Sequence, residues 1–228
     1  MKQGPLRDRA ETVAKRLFLL GDRAGVHVLP RHYYSSVTAR SHLRTDGSWR
    51  GPAALPGIEL DLDAELDWLR STLGDRSDAL TLAEYDAFAG EGLGFGPIEA
   101  QVLHAAVRTH TPSRIVEIGG GVSTAVVADA VRRDRLATSI TSVEPYPSDG
   151  LRRLAASGEV TLVDRPAQDV AVEVAAQLEA GDLLLIDSTH TVRTGSEVVD
   201  LYLDVLPRLP AGALVHIHDI YLPYLYSP

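Results

Sequence analysis

Two groups of residues in this 228-residue chain have the types and spacing to do chemistry. The first is VEIGGGVST, Val116 to Thr124, with the acid Glu144 of TSVEP following 25 residues after Gly119. An apolar strand that runs into a glycine turn, opens a helix and meets a carboxylate at the end of the next strand suits a nucleoside-containing ligand. Glycines at 119 and 121 let the backbone approach the ligand with no Cβ in the way, and the carboxylate can accept two hydrogen bonds from ribose hydroxyls. The separation is near the roughly 20 residues expected of a ribose-binding acid. Glu117, two residues before the first glycine, is placed to meet a ligand's cationic amino group. A nicotinamide site more often shows a third glycine three residues after the second, and Thr124 stands there.

The second group is DSTH, Asp187 to His190, and HIHD, His216 to Asp219. Each follows an apolar run of strand character. Strand carboxyl ends in an open α/β sheet face the ligand crevice, so both segments are expected to converge beside the glycine turn. His216 is expected to point to the face opposite His218, as a buried structural histidine.

The elements that must position these groups follow from hydrophobic patterning. From Pro97 the chain alternates. Strands are expected at 114–118, 139–144, 160–163, 182–187 and 213–218, with helices from Pro97 to about Thr111 and at about 122–133, 148–157, 168–180 and 194–207. Strands apolar on both faces and separated by helices form a parallel sheet covered on both sides. The expected fold class is therefore α/β, a doubly wound, mostly parallel sheet, with an N-terminal helical cap over 1–95 and the ligand-binding core over 96–228. Within the cap, Ala10, Val13, Ala14, Leu17 and Leu20 mark one amphipathic helix that Gly21 would stop, and Leu62, Leu66, Leu69 and Leu73 mark a second. Thr81 with Glu84 forms a capping-box pattern for a third, VHVLP at 26–30 reads as a short strand, and 44–57 as loop.

Composition removes other classes. With 31 acids against 22 bases the net charge is −9, so no basic field is available to hold phosphate backbones, and nucleic acid is not an expected partner. The chain has no cysteine, which excludes disulfides, thiolate metal sites and a cysteine nucleophile. No apolar run approaches the roughly 20 residues of a membrane span, and no signal-peptide segment opens the chain, so a soluble cytoplasmic protein with no membrane partner is expected.

Over roughly Gly96 to the C-terminus the chain resembles class I S-adenosylmethionine-dependent methyltransferases, and within them the small-molecule, catechol-type group with an E-x-G-x-G-x-S-T first motif. That resemblance implies that Glu117, Gly119, Gly121 and Ser123 line the methionine side of S-adenosylmethionine, that Glu144 holds its ribose, and that Ala167, Gln168 and Asp169 contact its adenine. Asp169 has an alternative role as a helix N-cap. The resemblance further implies a divalent metal on Asp187, His218 and Asp219. Its departure is His218 in place of a carboxylate, a set better suited to Mn, Fe or Zn than to Mg. His190 stands where the group carries a lysine base, and imidazole can take a hydroxyl proton near neutral pH, with or without the metal. Asp187 would then serve cofactor, metal and catalysis.

The expected reaction is O-methylation of a small-molecule hydroxyl, with secondary metabolites as a family-level association. A catalytically silent cofactor-binding module and a nicotinamide-dependent oxidoreductase stay as alternatives. Arg193 is read as a surface charge or an anchor for an anionic substrate, and His32, Tyr33 and Tyr34 as a lid or as packing between cap and core. Ten residues follow His218, so the sixth and seventh strands of the class I sheet are expected to be absent from this chain. The strand ending at His218 would then lie nearer an open edge, which favours a homodimer.

Overall fold

A computed structural model describes residues 5–26, 51–74, 80–81 and 95–224. The chain divides into two compact units, residues 57–220 and residues 1–56 with 221–228. The expected boundary at residue 95 does not coincide with that division. In the smaller unit α1 spans Pro5–Arg23 and runs through Gly21 instead of stopping there. The chain turns instead at Gly25, whose φ of 72° suits a residue without Cβ. In the same unit Pro52 forms an antiparallel bridge with Tyr224. The expected strand at 26–30, the third cap helix and the residues His32, Tyr33 and Tyr34 lie outside the described residues, except for Val26 and Thr81. No described helix is long and apolar enough to cross a membrane.

The larger unit carries α2 (Leu62–Leu73), α3 (Pro97–His110), β1 (Arg114–Ile118), α4 (Val122–Asp134), β2 (Ser139–Val143), α5 (Asp149–Ala156), β3 (Thr161–Val163), α6 (Ala167–Ala175), β4 (Leu183–Ile186), α7 (Glu197–Asp200) and β5 (Leu214–Ile217). Helix α2 is capped by Asp61, whose carboxylate accepts from the amides of Asp63 and Ala64. Helix α3 begins with Pro97 in its first turn, where a missing N–H costs nothing. A π-helical turn, Leu201–Val205, and a 3₁₀ turn, Leu206–Arg208, extend α7.

The five strands are all parallel, in the order β3-β2-β1-β4-β5. The chain leaves β1 toward β2 and β3, then returns to the other side of β1 with β4 and β5. Adjacent strands β1 and β4 therefore start connections on opposite faces, and a crevice opens above their carboxyl ends. Among the described residues β5 is one edge of the sheet.

Alternation along the strands fills both layers. Ile115 of β1 with Leu183 and Leu185 of β4 packs with Leu103, Val107 and Val126 of α3 and α4. Val116, Ile118, Leu184 and Ile186 face the opposite layer, with Val170 and Val174 of α6 and Leu201 and Val205 of the π turn. Glu117 shares the Ile115 side by the same period of two, which directs its carboxylate toward α4.

Two helices are shorter than their patterns predict. Helix α6 ends at Ala175 because buried Asp182 captures the following chain: it accepts from the amides of Glu179 and Arg114 at 2.9 and 2.8 Å. Helix α7 begins at Glu197, after a left-handed Gly195 (φ 72°) and an extended Ser196. Leu184 is fully buried at the centre of the sheet. Leu184→Ala is expected to lower the unfolding free energy by about 2–5 kcal/mol, read by urea denaturation followed by circular dichroism.

Candidate active site

The backbone ladder builds the site before any side chain acts. Ile118 pairs with Ile186, and one residue further the Asp187 amide donates to the Ile118 carbonyl at 2.8 Å. Gly119 N–H donates to the Val143 carbonyl at 3.0 Å, and His218 N–H to the Ile186 carbonyl at 2.9 Å. The ends of β1, β2, β4 and β5 are thus tied to one rim. Gly119 has φ 90°, and a Cβ there would sit 1.9 Å from the Asp187 carbonyl oxygen, so only glycine allows the β1 and β4 turns to close. Gly121 differs. Its φ of 178° is open to any residue, and an added Cβ would meet no protein atom. That space is the cleft itself.

Two adjoining hollows of about 400 Å³ each lie above this rim. They share Gly119, Glu144, Tyr146, Asp187 and Ser188. The first also takes in Gly121, Ser123, His190, Asp219 and Phe95. The second takes in Pro166, Ala167, Gln168, Arg193 and Glu197. The structure therefore brings most of the predicted residues to one place. Arg193 is exposed along the second hollow. Asp169 does not line either hollow: it is exposed in the first turn of α6, where Pro166, not Asp169, is the N-cap.

Glu144 accepts from the Gly120 amide at 3.2 Å and the Tyr146 amide at 2.7 Å. These bonds fix the carboxylate at the rim and leave it acceptor capacity, since two ionised oxygens offer about four lone-pair sites. Glu117 lies beneath the turn, 1% exposed, and does not line the hollows. It accepts from Ser123 Oγ at 2.6 Å and from Thr124 Oγ1, and Thr124 Oγ1 in turn accepts from the Gly121 amide. Burial pushes the Glu117 carboxyl up to about 7 despite these hydroxyls.

At the β4 and β5 ends, single ligand atoms of Asp187, His218 and Asp219 lie within 4.8 Å of one another. His218 Nε2 is 3.6 Å from Asp219 Oδ1. Its ring is buried and stacks on Phe95 with centroids 4.6 Å apart. Burial raises the Asp187 carboxyl above its ordinary range, with His218 and His190 pulling it back and Asp219 adding to the rise. His190 adopts φ 52°, its Nε2 sits 3.7 Å from Asp187 Oδ1, and that buried nitrogen makes no hydrogen bond among the described residues.

The expectation that His216 and His218 point to opposite faces is corrected. Their rings stack 6.0 Å apart, because residues two apart on a strand share a face. Burial, and then the neighbouring His218, lower the His216 pKa. Sequence reasoning also missed Glu197. It is buried, with Oε1 accepting from Thr189 N–H at 3.0 Å and Thr189 Oγ1 at 2.6 Å. A glutamate directly after the capping Ser196 was its one local signal.

A parallel sheet with a crevice at its topological switch point, a glycine turn and an acid at the end of the next strand define a Rossmann-like α/β fold. A family model described as a methyltransferase domain matches residues 116–220. An uncharacterised protein of Archaeoglobus fulgidus is 36% identical over 164 residues, 66% of this chain and 73% of the relative. Residues 116–220 place the chain in this methyltransferase family. Among solved structures it is similar to the SAH-bound Podospora anserina methyltransferase PaMTH1, at 18% identity and TM-score 0.44 over 72% of this chain and 73% of that one. It is also similar to a caffeoyl-CoA O-methyltransferase candidate from Staphylococcus aureus, at 16% identity and TM-score 0.37 over 62% and 67% of the two chains. An O-methyltransferase candidate from Klebsiella pneumoniae gives 29% identity and TM-score 0.34 over 54% and 59%.

The buried Glu117 sets a pH dependence. Its folded value of about 7 lies above an ordinary 4.5, so the folded state holds a proton that the unfolded chain releases. Its contribution is fully favourable below about 4.5 and is lost as pH rises through about 7. Thermal melts of Glu117→Gln are expected to lose that part of the decline between those limits and to exceed wild type most at pH 8.

Proposed function

We propose that this protein transfers a methyl group from S-adenosylmethionine to a hydroxyl of a small molecule, with His190 as general base. The observation that carries the reading is the convergence of Glu144, the open face of Gly121 and His190, paired loosely with Asp187, on one continuous cleft. The residues lining the cleft offer the donor and acceptor types that such a cofactor needs. Glu144 would hold the ribose hydroxyls, the Gly119–Gly121 turn and Ser123 the methionine end, and Ala167 and Gln168 the adenine in the second hollow. When bound, S-adenosylmethionine supplies an electrophilic methyl on a positively charged sulfur.

The protein's own part is positioning and proton removal. His190 lines the same hollow as Asp187 and Asp219, and an acceptor hydroxyl placed against its ring would give its proton to the imidazole. Phe95 offers an apolar wall for the rest of the acceptor, and packing against it would exclude water from the reacting oxygen. Asp187, His218 and Asp219 fit a divalent ion by donor set and spacing, and would favour Mn, Fe or Zn over Mg. Such an ion would lower the pKa of a bound hydroxyl. Among the described residues β5 ends the sheet, which supports a homodimer paired along that strand, and light scattering that finds only monomer would remove it.

Calorimetric titration with S-adenosylhomocysteine, with and without Mn²⁺, tests the reading. Wild type is expected to bind. Glu144→Ala is expected to weaken binding by about 10- to 100-fold, the worth of hydrogen bonds to a charged group. Absence of binding to wild type overturns the assignment. Methyl transfer that survives Asp187→Ala without metal removes the metal and leaves the transferase.

A further inference from the structure

We propose that Glu197 is a positioning residue for the general base: it clamps Thr189 and so holds the His190 ring in the cleft. The inference deepens the function proposed above and rests on His190 being the base. The His190 ring is paired only loosely, with Asp187 Oδ1 in ion-pair range of its Nε2. Its Nε2 is buried without a hydrogen-bond partner among the described residues, and Asp187 Oδ1 is too distant for one at 3.7 Å. Its backbone is left-handed, with φ 52°. Non-glycine residues keep that conformation only when their surroundings hold it.

The hold comes from the next helix. Oε1 of Glu197 accepts from both the amide and the hydroxyl of Thr189, at 3.0 and 2.6 Å. Thr189 also accepts from the Thr191 amide through its hydroxyl, and from the Thr191 hydroxyl through its carbonyl, at 3.3 and 3.0 Å. His190 is thus bracketed by two residues that are locked to each other and to Glu197. The far end of the same loop is closed by Ser196, whose Oγ accepts from the Arg193 amide at 3.2 Å and whose amide donates to the Arg193 carbonyl at 3.0 Å. Glu197 is only 6% exposed. Burial opposes its ionisation, yet the bonds from Thr189 hold its carboxyl below the usual range, so it is a charged acceptor near neutral pH. A buried charge committed to the residue beside His190 ties the base to the start of α7.

The test is a ¹H–¹³C spectrum of the full chain with labelled histidines, in which His190→Gln assigns the His190 ring peak and buried His104 reports the fold. Glu197→Ala is expected to displace or split the His190 peak while leaving the His104 peak in place. Glu197→Gln, whose amide oxygen can accept both bonds, is expected to restore it. An undisplaced His190 peak in folded Glu197→Ala overturns the proposal. If that variant does not fold, Thr189→Val removes the hydroxyl's bonds to Glu197 and to the Thr191 amide while keeping the Thr189 amide donor, and an undisplaced peak there overturns it equally. Calorimetry with S-adenosylhomocysteine on the wild-type sample separates the two claims: failure to bind removes the transferase reading, whereas the His190 peak decides the clamp.

Discussion

The site depends on one close approach, between Gly119 at the end of β1 and the Asp187 carbonyl at the end of β4. There is room for a hydrogen atom and nothing larger, and the φ of 90° at Gly119 suits only glycine. Because the two strands are in register up to Ile118 and Ile186, this contact fixes where both turns begin. On one side the glycine turn swings toward α4 and leaves the space at Gly121 open. On the other, Asp187 enters the cleft with the segment that carries His190. A ligand held by the first turn is thereby presented to the second.

The electrostatics follow from that geometry. The sheet ends concentrate acids: Glu117 beneath the turn, Glu144 on the rim, Asp187 and Asp219 opposite. Each is handled differently. Glu117 is kept partly protonated by burial and satisfied by two hydroxyls. Glu144 is anchored by two amides and faces outward. Asp187, desolvated and raised, is balanced by His218 and His190. A cleft of this kind suits a ligand with a cationic sulfur and amino group, since a positive charge relieves the mutual repulsion of the acids around it.

Much of this was legible in the residues, for identifiable reasons. All five strands fall within a residue of their expected ends because each is a short run rich in aliphatic and β-branched residues bounded by Gly, Pro or acidic residues. The glycine turn and Glu144 were legible because local backbone geometry demands them. What failed was mostly non-local. The shortening of α6 depends on Asp182 bonding Arg114 across the sheet, and the late start of α7 on a loop closed by Ser196 and Glu197, neither visible to a helical period. Gly21 illustrates the limit of a propensity: one glycine lowers helix stability but does not end a helix that continues favourably on both sides. The misplaced face of His216 was an error of period, not of missing information. Glu197 escaped notice because its partner lies eight residues earlier in the chain, in a loop whose path only the fold determines.

The central claim is that the β1 turn and the β4 end form one cofactor cleft. A crystal structure of the full chain with S-adenosylhomocysteine tests it most directly. The account predicts ribose hydroxyls on Glu144, the amino-acid end over Gly119–Gly121, and the sulfur facing the hollow bounded by Asp187 and His190. Ligand density at another surface, or a ribose that leaves Glu144 bonded only to the Gly120 and Tyr146 amides, would contradict it.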